Sequence, residues 1–180
     1  MFYEIVQLII SRAGSRLFPL ALFIVLSAAT SCDAGKEDPL YVGTWQYREQ
    51  INTNDIVYNT TRTLILTKNT YEEIYFIQRE TSGLISGIFG TKGKIGFSRK
   101  YIQFRLQALG TCVRDEMDAC TDETEWFGEG TSYWTSNLQY YQLLVKGSFE
   151  ADELTLHLRR DLNNDNDTND LGEDIVFDRI

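Results

Sequence analysis

Proline is almost missing from this chain. The only two are Pro19 and Pro39, and neither lies between residues 41 and 180. That excludes a proline-rich linker, and no second turn-rich tract divides the chain into domains. Histidine is scarcer still: His157 is the only one, so a histidine-based triad or a zinc site has no visible partner for it. No apolar run is long enough to cross a bilayer. Leu17 to Ala29 spans 13 residues, where a hydrocarbon core needs roughly 20 helical ones. No sequence period of 20–50 residues marks a repeat protein. Acidic residues are absent from 81–113, although the chain as a whole carries 26 Asp and Glu against 17 Lys and Arg, a net charge of −9. An acidic chain repels phosphate backbones, which argues against nucleic acid as a partner.

Against those absences, one junction stands out. Arg12 and Arg16 precede the apolar stretch, and the small residues Ser27-Ala28-Ala29-Thr30-Ser31 follow it. Cys32 comes next, and the chain then turns polar at once with Asp33-Ala34-Gly35-Lys36-Glu37-Asp38-Pro39. A positive flank, a short apolar segment and a small-residue cleavage site are the marks of an export signal. The Ala29-Thr30-Ser31-Cys32 junction resembles a bacterial lipoprotein signal peptide. That resemblance implies removal of residues 1–31, lipid on Cys32, a short tether over 32–40 and one domain over 41–180. It places the protein in the cell envelope of a Gram-negative-type bacterium, outside the cytoplasm, held to a membrane by acyl chains. Asp33 is a residue that in some enteric-type bacteria retains lipoproteins in the inner membrane; inner and outer membrane both stay open. The competing reading is an ordinary secretory signal in which Cys32 is incidental. Phe2 to Ile10 fits neither signal and is given no function.

The 149 residues after the junction are enough for one domain with its own core. If Cys32 carries lipid, Cys112 and Cys120 remain as an even pair with seven residues between them. An exported loop of that length permits a disulfide. Metal binding is the rival, without a second Cys or His pair to support it.

Period-2 patterning dominates the remainder. Ile102, Phe104, Leu106 and Ala108 alternate with polar neighbours, as do Leu154, Leu156 and Leu158, and Trp45, Tyr47, Glu49 and Ile51. Strand-type residues also fill 61–67, 71–79, 84–90, 94–98, 138–146 and 174–180. Short turn signals, among them Thr91-Lys92-Gly93 and Glu150-Ala151-Asp152, separate them, so consecutive strands should pair antiparallel. The expected fold is all-β: one up-and-down antiparallel barrel of about 8–9 strands, since closure removes exposed edges. Residues 110–130 read as a long acidic loop with one helical turn at most.

Gly43-Thr44-Trp45 opens the first strand, and Arg179 is the penultimate residue of the last, on the same face as Ile175 and Phe177. A Gly-x-Trp at the start and an arginine on the closing strand is similar to the lipocalin pattern, and the whole resembles small bacterial lipocalin-like lipoproteins. The resemblance covers 41–180, but only its two ends carry motifs. It implies that Arg179 packs across Trp45 at the closed end of the barrel. The second lipocalin motif and a clear C-terminal helix are both missing.

Few residues suggest chemistry. His157 falls on the outer face with Thr155 and Arg159. Glu49 and Glu73 fall on the inner face, without a nucleophile or metal that would make them an enzyme's pair. Tyr47, Tyr75, Phe76, Phe104, Trp126, Trp134 and Tyr141 are core or pocket candidates. The loop from Asp161 to Asp174 offers oxygen ligands at alternate positions, Asn163, Asp165, Asp167 and Asn169, which suits a hard cation such as calcium. An EF-hand register starting at Asp165 fails, because Asp170 falls where glycine is needed and Val176 at the twelfth position. The plainer reading is a solvated acidic hairpin loop. The expected function is non-catalytic: binding a small, mostly apolar ligand in the barrel. The alternative is a filled barrel that binds another envelope protein as an adhesin, inhibitor or assembly partner.

Overall fold

The computed structural model describes residues 38–98, 101–170 and 172–180. Residues 1–37, among them Cys32 and the segment expected to be an export signal, lie outside the described residues. The strands are β1 (Gly43–Thr53), β2 (Ile56–Leu66), β3 (Thr70–Arg79), β4 (Ile85–Ser98), β5 (Tyr101–Arg114), β6 (Cys120–Gly128), β7 (Leu144–Ala151), β8 (Thr155–Asp161) and β9 (Asp174–Arg179). A short helix α1 (Ser132–Asn137) and a 3₁₀ turn (Leu138–Tyr140) sit between β6 and β7. Every pairing is antiparallel.

The ring closes as β1-β2-β3-β4-β5-β7-β8-β9 and back to β1, an eight-stranded barrel, with β6 paired to β5 alone. The up-and-down barrel expected from alternation is therefore the fold. Closure rests on a short ladder, Trp45 opposite Arg179 and Gln46 opposite Asp178. The inner core is built from Trp45, Leu64, Leu66, Tyr71, Ile95, Ile102, Phe104, Leu156, Leu158, Ile175 and Phe177. This core fills the end where β1 begins.

The wall is uneven in height. β4 and β5 have 14 residues each, whereas β7, β8 and β9 have 8, 7 and 6. At about 3.3 Å per residue, the short strands cover only the closed half. β7 starts at Leu144 opposite Arg105, partway up β5. The gap above them is occupied by α1, where Trp134 packs on Leu106 and Leu109. Thr131 caps that helix, its hydroxyl accepting from the Trp134 amide at 3.2 Å.

Four local expectations are corrected. Thr91-Lys92-Gly93 is no turn: β4 runs through it, with a bulge between Lys92 and Gly93. A Cβ on Gly93 would lie 1.9 Å from the Arg105 carbonyl oxygen, so the strands approach there as only glycine allows. Gln107 is the extra residue on β5, and it flips the alternation. Ala108 pairs with Lys92, and Leu109, opposite Thr91, takes the inner face instead. Residues 110–130 are the end of β5, a tight turn and β6 rather than a long loop. Asp115 makes the turn, its Oδ1 accepting from the Met117 and Ala119 amides at 2.9 Å each. Residues 138–146 are not one strand, because their first third is the 3₁₀ turn. Leu154 is exposed in the β7–β8 turn, not aligned with the buried Leu156 and Leu158.

Candidate functional site: the barrel cavity

The open half of the barrel holds a cavity of about 250 Å³. Tyr71 and Tyr75 on β3, Phe89 on β4, Phe104 on β5, and Tyr140 and Tyr141 at the end of the 3₁₀ turn give it an aromatic wall. Register explains the convergence. Glu73 lies opposite Thr91, and Tyr75 lies opposite Phe89 and Arg62. Side chains directly opposite in an antiparallel pair share a face, so one inward row crosses three strands.

Two charged groups meet inside. Arg160 at the end of β8 donates to Glu73 on β3 through Nη1 to Oε2 at 2.5 Å and Nη2 to Oε1 at 2.8 Å. Their side chains are 6% and 13% exposed. Burial alone would raise the Glu73 carboxyl. The Arg160 charge, its hydrogen bonds and the Arg62 charge outweigh that and hold it below its ordinary value near 4.5. Arg160 is held charged in return by Glu73, against its own burial. Its guanidinium carbon lies 5.7 Å from the Phe104 ring centroid. Tyr71 beside them is pushed up to about 12, mainly by burial, with Glu73 adding to it. Tyr71 therefore stays a neutral donor at any physiological pH.

Arg62 is the second interior arginine. It stacks on Tyr75, 5.0 Å from the ring centroid, and its Nη1 donates to the Gly172 carbonyl at 3.3 Å. Among the described residues that is its one protein hydrogen bond, and a guanidinium has five N–H donors. With Glu73 matched by Arg160, Arg62 leaves the cavity with a positive excess. Burial is also the main cause that raises Tyr47, and the nearby Glu49 adds to it, its Oε2 3.2 Å from the Tyr47 hydroxyl.

The sequence-derived sites fall in separate places. Trp45 and Arg179 close the other end: the guanidinium carbon sits 4.3 Å from the indole centroid, and Trp45 Nε1 donates to the Tyr41 carbonyl at 2.9 Å. Arg179 donates to the carbonyls of Val42 and Leu40. Gly43 leaves room for it, since a Cβ there would stand 2.9 Å from Arg179 Nη1 and displace the guanidinium. Cys112 and Cys120 form a disulfide with Cα atoms 5.4 Å apart, tying β6 to β5 outside the ring. His157 is on the outer face as expected, but not unpartnered: its Nε2 meets Asp174 Oδ1, and Arg159 Nη2 is 3.1 Å from Nδ1. Glu73, Tyr75, Phe104 and Tyr141 do line the cavity. Trp134 is not among the lining residues but packs on Leu106 and Leu109, while Trp126 lies outside across Gly90 and Gly110. Phe76 pairs with Thr61 and Ile88, and alternates with the inward Tyr75, so it faces outward.

Arg160 and Arg62 were missed. Both were legible by parity: Arg160 continues the inward series Leu156, Leu158, and Arg62 alternates into the row of Leu64 and Leu66. Neither a protein-family model nor a curated protein matches the chain.

Proposed function

We propose that this chain is a lipid-anchored, non-catalytic envelope protein that holds one small, mostly apolar molecule in its barrel. The observation that carries the reading is the cavity with its aromatic wall and the spare donors of Arg62. Ligand sites combine a mostly apolar lining with a few placed polar groups, and that composition is present here. At about 250 Å³, the cavity is below the roughly 300–1,000 Å³ of drug-sized pockets. The ligand is therefore small or keeps one end in solvent. The positive excess favours an acidic or hydrogen-bond-accepting end beside Arg62. Cys32 supplies the anchor, and among the described residues no helix is long and apolar enough to cross a membrane.

Native mass spectrometry of protein purified from its own host should show a bound small molecule at one per chain. Val145→Trp, which fills the cavity from β7, should release it with the barrel still folded. Protein without any adduct, or an adduct that survives Val145→Trp, would overturn this reading.

A second reading has one observation in its favour. β6 pairs only with β5, along residues 108–114 above the short strands, and it carries Asp122, Glu123 and Glu125 beside the open half of the barrel. An acidic projecting hairpin suits a protein partner with a basic surface. Crosslinking in intact cells that maps to 115–128 and is unaffected by Val145→Trp would favour it.

A further inference from the structure

We infer that the loop joining β8 to β9 is a calcium site, with Asp161, Asn163, Asp165 and Glu173 as its side-chain ligands. The first observation is a buried carboxylate that nothing satisfies. Glu173 is 2% exposed. Its Oε1 accepts from the Leu162 and Asn163 amides at 2.6 and 3.3 Å, which turns the carboxylate into the loop. Its Oε2 is buried and has no hydrogen-bond partner. Asp161, at the other end of the loop, repeats the arrangement: Oδ2 accepts from the Asn166 amide at 3.1 Å, and Oδ1 is buried without a partner. Two unpaired buried carboxylate oxygens are costly. A cation bound by these carboxylates would remove that cost.

No protein cation does so. Among the described residues, no Lys, Arg or His pairs with Asp161, Asp165, Asp167, Asp170 or Glu173. The nearest substitute is the Asn163 side-chain amide. Its Nδ2 donates to Asp170 Oδ2 at 2.6 Å and Asp165 Oδ2 at 3.0 Å. These two carboxylates thus converge on one weakly positive group.

The spacing fits calcium once the register starts at Asp161. Oxygen residues then stand at positions 1, 3 and 5, as Asp161, Asn163 and Asp165. Calcium loops need a left-handed residue at position 6, and Asn166 has φ 70° there. The Asp165 and Asp167 amides are taken by the side chains two residues before them, at 3.0 and 2.9 Å. Side chains that accept from the amide two residues on are the turn chemistry of an Asx-rich loop. The carboxylate that a twelve-residue loop puts last comes one residue later, at Glu173. Among the described residues no three acidic, His or Cys groups are drawn together into a preformed metal cage. Calcium itself would gather the outer ligands. Five acids in thirteen residues repel one another, which gives the ion that task.

The test is a calcium titration of the full chain in detergent, stripped first with chelator. One site per chain is expected, with a dissociation constant on the order of 10⁻⁴ to 10⁻³ M, the range of extracellular modules. Calcium at about 10 mM should raise the melting temperature by about 5 °C, and magnesium should not. Glu173→Gln keeps the shape and removes the charge, and should weaken binding at least about tenfold. If that variant does not fold without calcium, the exposed Asp165→Ala carries the same expectation. Absence of binding up to about 10 mM, or unchanged affinity in the folded variant, would refute the site.

Discussion

Arg160 on β8 and Glu73 on β3 grip each other across the inside of the barrel, at 2.5 and 2.8 Å, from positions 87 residues apart. Their strands are not neighbours in the sheet. The pair therefore spans the cavity floor and separates the packed half from the open half. Removing one partner leaves the other charge buried. Glu73→Gln should destabilise the fold by about 3–5 kcal/mol, and Glu73→Leu with Arg160→Met should recover most of that. Denaturant unfolding of the two variants measures both. If Glu73→Gln costs under about 1 kcal/mol, the pair is wet and does not organise the cavity.

The same carboxylate sets an acid limit. Its folded-state value lies below the ordinary 4.5, so it binds fewer protons folded than unfolded. The stability it confers is complete above about 4.5 and is lost as pH falls through the lowered value. Wild type should lose stability steeply below pH 4.5, more steeply than the Leu/Met double variant. Equal slopes for the two would remove Glu73 from the acid transition.

Outside the ring, Cys112 and Cys120 pin β6 to β5. A ring this short corresponds to a stabilisation of about 2–3 kcal/mol. Because β6 belongs to no closing pair, Cys112→Ala with Cys120→Ala should speed amide exchange in 115–128 and leave Leu64, Leu156 and Phe177 protected. Exchange rising across the whole barrel would show that the hairpin supports the ring.

What was legible follows from what alternation can report. The inward rows Ile102-Phe104-Leu106 and Leu156-Leu158 are read directly, because burial on one face is the force that writes them. The bulge is invisible to the same rule: Gln107 resembles any outward residue until Leu109, not Ala108, turns up inside. β6 looks like loop in the sequence because it stands outside the barrel. With no buried face along most of its length, its Asp122-Glu123 run carries no alternation. Arg160 has the right parity but the wrong chemistry for an unpaired interior position. Its partner Glu73 is distant in sequence, so only the closed sheet brings the pair together. An EF-hand register at Asp165 fails on residue type, since position 6 is then Asp170 rather than glycine. The register starting at Asp161 rests instead on a left-handed backbone at Asn166, which residue type does not announce.

On the outer face, Trp126 lies flat over two glycines. A Cβ on Gly90 would stand 2.7 Å from its ring and one on Gly110 3.0 Å, while Lys92 Nζ sits 4.2 Å from the ring centroid. An aromatic over bare backbone compensates for glycine in a strand. Gly90→Ala should expel the indole, red-shift its fluorescence and cost about 1–3 kcal/mol, despite alanine's higher strand propensity. A neutral substitution with unchanged emission would mean that the indole does not depend on that contact.

The most specific expectation concerns closure, because it joins the two ends of the domain. Trp45 is fully buried, and Arg179 covers it while donating to two carbonyls of the segment before β1. The guanidinium thus links β9, the indole and residues 40–42, at the one ladder that turns an open sheet into a ring. Arg179→Ala should cost about 1–2 kcal/mol, the sum of a partly exposed cation–π contact and two lost hydrogen bonds. Arg179→Lys should recover less than half, since an ammonium cannot lie flat on indole and reach both carbonyls. Trp45→Ala should cost about 3–5 kcal/mol through the void it leaves. In the double variant the losses should fall short of their sum, because the two side chains touch. Strict additivity in denaturant unfolding would mean that Arg179 stabilises the 40–42 segment alone and takes no part in sealing the barrel.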